Sequence, residues 1–518
     1  MSPEVLSLVS QNETLQDENL NLQTQVSCLQ EDLAIAKKKI DWFEEQLKLG
    51  SHRHYGKRSE TAHSLNYSLF DAYDCDEVAV PGETAQQSTE EPTKETLTYT
   101  RPKSTGSTRK IDTSTLPKEQ VIHDLPESDK VCACGSKMKK IGEDISQKID
   151  YVPASLKVIE HIQPKYACSH CQIIQSAKKP AVFLPKSMAT AGLITDVIIK
   201  KYDEHLPLYR QSQILARDNV VLPDNTLGNW VMKAAEALAP LWEAACKQIA
   251  LSSYIQADET RVKILKPDKT GYMWVYQGLD PGNRFILFEF NLTRQGSVPA
   301  HRLAGFAGLL QTDGYAGYHQ LGQCTDVIHL GCWDHARRKF VEAIKVHADN
   351  KTGIAGRCLK LINGLYKIER QIKQASNQTR QQVRLEKAQP ILRTLFETVN
   401  KVNVLPKSTL STAITYLKNN QRQLSGYIEH GQAHLSNCLT ENAIRPFALG
   451  RKNWMFVGNE ACANKSALLY SLLSTCKLNK LDIRQYLQFV LNQTHAMRRG
   501  QTDPVTLLPQ FIDKNLIA

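Results

Sequence analysis

No apolar run in these 518 residues approaches the roughly 18 needed to cross a bilayer, so a membrane-spanning protein is not expected. The opening Met1-Ser-Pro-Glu lacks a basic stretch leading into an apolar core, so no secretory signal is expected either. Cysteine is sparse and odd in number, 13 scattered along the chain, which argues against a disulfide framework and for a reducing compartment. These absences point to a cytoplasmic protein, and its length points to roughly two to four domains. The formal charge is +11, but residues 1–50 hold nine acids against four bases, a balance of −5, so the remainder carries +16. A basic body behind an acidic arm suits a protein that binds phosphates, although a merely soluble basic enzyme would show the same total.

What is present begins with a heptad. Val5, Asn12, Asn19, Val26, Leu33, Ile40 and Leu47 share one position, and Leu8, Leu15, Leu22, Leu29, Ala36 and Phe43 fall three residues later. A seven-residue repeat held this long is the pattern of a coiled coil, since a helix packed on a core drifts off it. The two Asn residues in the seam favour a parallel homodimer. Residues 71–100 carry eight acids and one lysine among Ser, Thr, Pro and Gln, which reads as a flexible linker. Arg101, Lys103, Arg109 and Lys110 follow it, as a basic strap over DNA or a solvated tail.

Cys132-Ala-Cys134 and Cys168-Ser-His-Cys171 frame strand-like text at 148–152 and 156–160. Four thiolates in two close pairs suit a tetrahedral structural Zn²⁺, with His170 a bystander. Residues 189–250 read as helices, and 206–216 followed by 224–233 have the proportions of a helix-turn-helix with Asp224 or Asn225 as N-cap, or of a plain helical hairpin.

The chemistry centres on acids. Tyr254-Ile-Gln-Ala-Asp258 and Leu309-Leu-Gln-Thr-Asp313 are apolar runs ending in a carboxylate, as a buried strand does where it leaves a sheet. Glu441 follows a polar turn at Ser436-Asn437 that reads as a helix opening. Three converging carboxylates can hold two Mg²⁺ or Mn²⁺ ions about 3.5 to 4 Å apart, the arrangement used at phosphodiesters. Taken singly, each acid is also explained as a turn residue. Glu259 lies beside the first acid but, on a strand, on the opposite face. Glu460, in Gly458-Asn-Glu460, competes for the third role but reads as lying in a loop. Strand-like text at 254–257, 272–276, 285–290, 309–312 and 327–330 matches a ribonuclease-H-like mixed sheet; Glu441 stands 128 positions after Asp313, and the intervening text from Phe340 to roughly Leu435 reads as a helical insertion. Arg337, Arg338, Lys339, Arg445, Arg451 and Lys452 form a basic rim suited to phosphates. Cys332 and His335 share one turn, with Cys324 and His329 nearby, which leaves a second metal site open.

Longer strings carry a resemblance. Gly331-Cys-Trp-Asp-His335-Ala-Arg-Arg-Lys-Phe340, Ile444-Arg-Pro-Phe-Ala-Leu-Gly-Arg-Lys-Asn-Trp454 and Cys476-Lys-Leu-Asn-Lys-Leu-Asp-Ile-Arg-Gln-Tyr-Leu487 closely resemble blocks of bacterial insertion-sequence transposases of the family numbered sixty-six. Tyr55-Gly-Lys-Arg-Ser-Glu60 and Lys201-Tyr-Asp-Glu-His-Leu-Pro-Leu-Tyr-Arg210 extend it over nearly the whole chain, with Ser436-Asn437 where members usually carry Asp-Asn. The resemblance implies a DDE transposase with Asp258, Asp313 and Glu441 as its acids, a leucine zipper, and a four-cysteine zinc module of Cys132, Cys134, Cys168 and Cys171. It also implies DNA (terminal repeats and target) and small companion proteins of the same element as partners.

The expected organisation is a multidomain α/β protein: coiled coil 1–50, linker 51–110, zinc module 111–185 and a helical DNA-binding region 186–250. The ribonuclease-H-like core follows in two parts, 251–340 and 436–475, with the insertion 341–435 between them and a helical C-terminal region 476–518. The rival reading is a dimeric, zinc-bearing DNA-binding regulator or an inactive relic.

Overall fold

A computed structural model of the chain describes residues 3–55, 156–167, 174–176, 183–185, 187–346, 353–402, 404, 406 and 408–517. It divides into two compact units, residues 1–75 with 163–518, and residues 76–162. Of the second unit only 156–162 are described, and they form neither helix nor strand, so the strand expected at 156–160 is not there. That text alternates apolar and charged side chains, but a strand needs a ladder partner as well as a pattern. The linker beyond Tyr55 and Cys132 and Cys134 lie outside the described residues, while residues 51–55, expected in the linker, are helical.

Helix α1 (Pro3–Tyr55) runs 53 residues and overshoots the expected end of the heptad. Its seam stands open: Leu15, Leu22, Val26, Leu29, Leu33, Ile40, Phe43 and Leu47 are between 52% and 74% exposed. A short antiparallel hairpin follows, β1 (Lys165–Ala167) with β2 (Ile174–Ser176). The connection that carries Cys168 and Cys171 lies outside the described residues.

Four helices lead to the sheet: α2 (Ala191–Tyr202), α3 (Leu208–Arg217), α4 (Asp224–Ala237) and α5 (Ala239–Gln248). The turn between α3 and α4 includes Asn219 at φ +62°, a left-handed conformation Asn tolerates. The N-cap of α4 is Pro223, not Asp224 or Asn225, because the fixed φ of proline sets the helix entry while Asp224 bonds the N–H of Asn225. Leu227, Trp230, Val231, Ala234 and Ala235 bury one side of α4. Its exposed residues Asp224, Asn225, Asn229, Lys233 and Glu236 carry two acids and one base, not a basic reading face.

The central sheet is built on β3 (Tyr254–Lys266). It pairs antiparallel with β4 (Lys269–Asp280), which pairs antiparallel with β5 (Asn283–Asn291). After α6 (Ser297–Arg302), β6 (Gly308–Gln311) returns parallel to β3, and β7 (Val327–Leu330) parallel to β6. The strand order is β5-β4-β3-β6-β7. The far end of β3 also pairs with β8 (Val457–Asn459), a strand the sequence pattern had not signalled.

Between β7 and the third acid the described chain is helical: α7 (Trp333–Val346), α8 (Ile354–Gln371), α9 (Asn377–Val383), a π turn, α10 (Gln389–Asn400), α11 (Thr409–Asn419) and α12 (Gln421–Ser425). These helices bury their own apolar cluster, which reaches Leu309, Leu330 and Tyr254 on the sheet. Its interior holds Arg384, fully buried and bidentate to Glu369 at 2.8 and 2.7 Å. The guanidinium also donates to the carbonyls of Tyr427, His430 and Ala433, so the charge is paired and its N–H groups are used.

The chain returns to the sheet through α13 (Cys438–Trp454), then α14 (Glu460–Leu478) and α15 (Ile483–Arg498). Helices α2, α4, α5, α14 and α15 share one continuous apolar cluster with the sheet. Helix α14 runs across the boundary expected at 475, because its hydroxyls seal the edge of β5. Ser471 Oγ accepts from Phe288 N at 2.8 Å, and Thr475 Oγ1 accepts from Ile286 N at 3.0 Å. Asn479 Nδ2 donates to the Arg284 carbonyl at 2.9 Å. Steps of four along the helix, about 6 Å, match steps of two along the strand, about 6.8 Å. A long open edge invites pairing with another chain, and here a helix covers it.

Thr475→Val keeps the shape and strands a buried backbone N–H. Chemical denaturation should register a loss of about 1–3 kcal/mol, whereas an unchanged midpoint would show that the hydroxyl ladder contributes nothing.

Candidate functional site

The ladder between β3 and β6 pairs Tyr254 with Leu309, Ile255 with Leu310 and Gln256 with Gln311. Asp258 and Asp313 each lie two residues beyond the last pair, so they stand at the same level. Asp313 follows the end of β6, but Asp258 is the fifth residue of β3 and stays in the ladder opposite Val275, so the expectation that it ends its strand is not met: pairing with β4 carries β3 on to Lys266.

Two buried glutamines lock this register. Gln256 Nε2 donates to Gln311 Oε1 at 2.8 Å and to the Ser436 carbonyl at 3.0 Å. Gln311 Nε2 donates to the carbonyls of Gly331 at 3.1 Å and His434 at 2.9 Å. The Tyr254 hydroxyl donates to Gln311 Oε1 and accepts from His434 N at 3.0 Å. Each acid strand is thereby tied to segment 434–436, which leads directly into α13. Asn437 is the N-cap of that helix and Glu441 lies in its first turn. The three acids arrive from three elements held by one hydrogen-bond network.

Their fields overlap. Burial holds the Asp258 carboxyl well above the usual carboxylate range, and the nearby charges of Glu259, Asp313 and Glu441 push the same way. Burial likewise raises Glu441, opposed by Arg338 and reinforced by Asp334 and Asp313. Asp258 Oδ1 accepts Glu259 N at 2.8 Å and Asp313 Oδ1 accepts Tyr315 N at 2.9 Å, but neither acid makes an ion pair among the described residues. Buried atoms without partners also gather at the start of α13: Ser436 Oγ, both side-chain polar atoms of Asn437, Thr440 Oγ1 and Glu441 Oε1. Adjacent repelling carboxylates, acceptor-only donor sets and orphaned polar atoms fit a site for hard divalent cations.

Glu259 belongs to a different arrangement. It is bound by Arg294, whose Nε lies at 2.8 Å, and by the Tyr318 hydroxyl at 3.0 Å. Arg294 stacks on the Tyr315 ring at 3.9 Å. Glu460 is far removed. It opens α14 instead of lying in a loop, with Asn459 as its N-cap. Asn459 pairs with Lys266, eight residues along β3 from Asp258, or roughly 26 Å at strand rise.

The basic residues divide. Arg338 Nη2 lies 3.9 Å from Glu441 Oε2, Arg337 Nε donates to Asn363 Oδ1 at 3.0 Å, and Lys339 stands over the Tyr416 ring at 5.1 Å. Arg445 and Lys452 ride on α13. Arg451 is spent on the sheet, donating to Thr260 Oγ1 at 3.1 Å and to the Arg261 carbonyl. Helix α11 packs closely beside Asp313 at Gly314, where a Cβ would meet the Tyr416 ring at 2.5 Å. The glutamine network escaped the sequence reading, although Gln-x-Asp occurs at both acids and was its signal.

Residues 186–465 match the family model described as the transposase IS66 family, and residues 129–172 match that of the zinc-finger binding domain of transposase IS66. Three relatives from Sinorhizobium fredii (strain NBRC 101917 / NGR234) carry only the name uncharacterized protein. One, y4jD, is 32% identical over 76% of this chain and 80% of its own length. A second, y4hP, is 28% identical over 88% and 85%. The third, y4qI, is 31% identical over 72% of each.

The sign of the electrostatics gives a test. Raised carboxyls bind protons more readily when folded, so their contribution to stability is full below the ordinary carboxylate pKa and is lost as pH rises through the raised values. Asp258→Asn should therefore raise the melting temperature of metal-free protein at neutral pH by a few degrees, about 2–4 °C per kcal/mol. It should also abolish the stabilisation expected when Mg²⁺ is added to the unaltered chain. A lower metal-free melting temperature would contradict the crowding of charge at Asp258.

Proposed function

We infer that this chain, which belongs to the IS66 transposase family and carries that family's zinc-finger domain, cuts the ends of an insertion element and joins the freed 3′-hydroxyl to target DNA. The observation that carries the reading is the meeting of Asp258, Asp313 and Glu441 where β6 ends beside β3. Strand order β5-β4-β3-β6-β7 supports a ribonuclease-H-like core, and the helices between β7 and α13 support an insertion within it.

Asp258, Asp313 and Glu441 would hold two Mg²⁺ ions, or Mn²⁺, which when bound activate the attacking oxygen and stabilise the leaving oxygen at a phosphodiester. The chain's own part is positioning. The glutamine network keeps two carboxylates at one level, and the first turn of α13 aims the third. Arg337, Arg338 and Lys339 on α7, with Arg445 and Lys452 on α13, supply positive charge for DNA phosphates beside acids that would otherwise repel them. Water attacks in cutting and the freed 3′-hydroxyl attacks in joining, so no Ser or Tyr nucleophile is required.

Two further parts complete the reading. The exposed heptad seam of α1 fits a second copy of this chain, with Asn12 and Asn19 setting a parallel two-stranded register. Cys132, Cys134, Cys168 and Cys171 would hold the structural Zn²⁺ of the zinc-finger domain, and the β1–β2 hairpin brackets the second pair.

In an assay on labelled element ends, Glu441→Gln should lower Mg²⁺-dependent cleavage on the order of a thousandfold or more, while end binding in Ca²⁺ survives. Glu460→Gln should keep most activity. The opposite ranking would move the third acid to α14, and end binding without nicking by the unaltered chain would favour the regulator. Replacing Asn12 and Asn19 by Leu should raise the melting temperature of the α1 segment and loosen its oligomer specificity. A monomeric mass for the unaltered segment at micromolar concentration would remove the dimer. Cys171→Ser should cost one Zn²⁺ per chain by elemental analysis, and zinc-free unaltered protein would remove the zinc site.

A further inference from the structure

We propose that Cys332, His335 and Glu441 form a second metal site, one that takes a borderline-soft divalent cation such as Zn²⁺ and draws Glu441 away from the other two acids. The second half of this proposal rests on Glu441 serving with Asp258 and Asp313; the metal site itself does not.

Cys332 immediately precedes α7 and His335 lies in its first turn, three residues on, so both side chains fall on one face. Glu441 lies in the first turn of α13. One ligand atom from each residue lies within 4.8 Å of the other two. His335 Nδ1 and Glu441 Oε1 are 3.7 Å apart, too far for a hydrogen bond, and both are buried without a partner. Around Zn²⁺ with bonds of about 2.0–2.3 Å, tetrahedral ligand atoms stand roughly 3.3–3.7 Å apart, so closure needs only small side-chain movement. Cys332 is fully buried, and burial pushes its thiol well up; the backbone N–H groups of His335 and Asn437 act against that rise, the kind of support a metal-bound thiolate receives.

The donor set selects the ion. Thiolate and imidazole suit Zn²⁺ and disfavour Mg²⁺, which takes oxygen donors. Three protein ligands leave the fourth position to solvent, the form of an exchangeable site. Cys324 and His329 take no part, since Cys324 is exposed and His329 Nε2 lies 2.8 Å from Thr312 Oγ1. Glu441 thus stands between two donor sets of different hardness. A carboxylate drawn toward Cys332 and His335 is drawn from Asp258 and Asp313, so zinc should oppose magnesium-dependent chemistry.

The test is a Co²⁺ titration of the full chain with its zinc-finger domain already filled with Zn²⁺, beside Cys332→Ala and His335→Gln, each checked for folding by circular dichroism. The unaltered chain should take one more Co²⁺ than either variant and show a thiolate-to-cobalt absorption that Cys332→Ala lacks and added Zn²⁺ removes. Equal stoichiometry and spectra in all three proteins would overturn the site. If Cys332→Ala fails to fold, His335→Gln decides by the same count. In a second arm, Mg²⁺-dependent end cleavage should fall at least tenfold as Zn²⁺ is added, and His335→Gln should need at least tenfold more Zn²⁺ for that loss. Zinc that binds without slowing cleavage would overturn the competition for Glu441. Absence of cleavage under every condition would count against the proposed reaction and leave the cobalt result standing.

Discussion

The pairing of Gln256 with Gln311 is the constraint on which the rest of this structure depends. Strand β6 is four residues long, too short for its ladder alone to fix register firmly against β3. The two side chains are fully buried and bridge the strands directly. A slip of one residue would turn each strand's side chains to the opposite face and strand these amides, at about 1–3 kcal/mol for each unpaired group. The same amides reach the carbonyls of His434 and Ser436, so a single network fixes the level of two acids and the entry of the helix that bears the third. Tyr254 stacks on His434 at 5.9 Å and closes that network on its apolar side.

Rigidity there has an electrostatic reason. Burial raises the Asp258 and Glu441 carboxyls, neighbouring carboxylates push the same way, and a soft scaffold would relieve that repulsion by moving apart. The scaffold resists on several sides. Helix α14 clamps the β5 edge through Ser471, Thr475 and Asn479, Arg451 ties α13 to β3, and α11 closes on Gly314 through Tyr416. Helix α11 is therefore part of the support for Asp313. Crowded charge of this kind would make binding of a divalent cation favourable.

The sheet was legible because strands with alternating or continuous apolar text, ended by Gly and polar turns, have few other readings. All five strands anticipated between 254 and 330 are present, and β3 to β5 extend beyond the anticipated spans. Helical text between Asp313 and Glu441 was equally plain. Strand β8 escaped because three residues carry no period, and it exists only where β3 outruns β6. The N-cap of α4 was misread because proline set the helix entry where a polar cap was sought. At the site, the acids were visible in the sequence, although Asp258 lies within β3 and not at its end, but their support was not. Hydrogen bonds from Gln256 to Ser436 span 180 positions, and no local pattern encodes them. In the sequence His335 had Cys332 on its turn with Cys324 and His329 nearby, and only the fold brings Glu441 of α13 beside it.

The most direct measurement is anomalous diffraction from crystals of the full chain grown with Mn²⁺. The account predicts Mn²⁺ density bounded by the carboxylates of Asp258, Asp313 and Glu441. Density bound instead at Glu460, or a shell around these three acids that stays free of Mn²⁺ at saturating concentration, would contradict it.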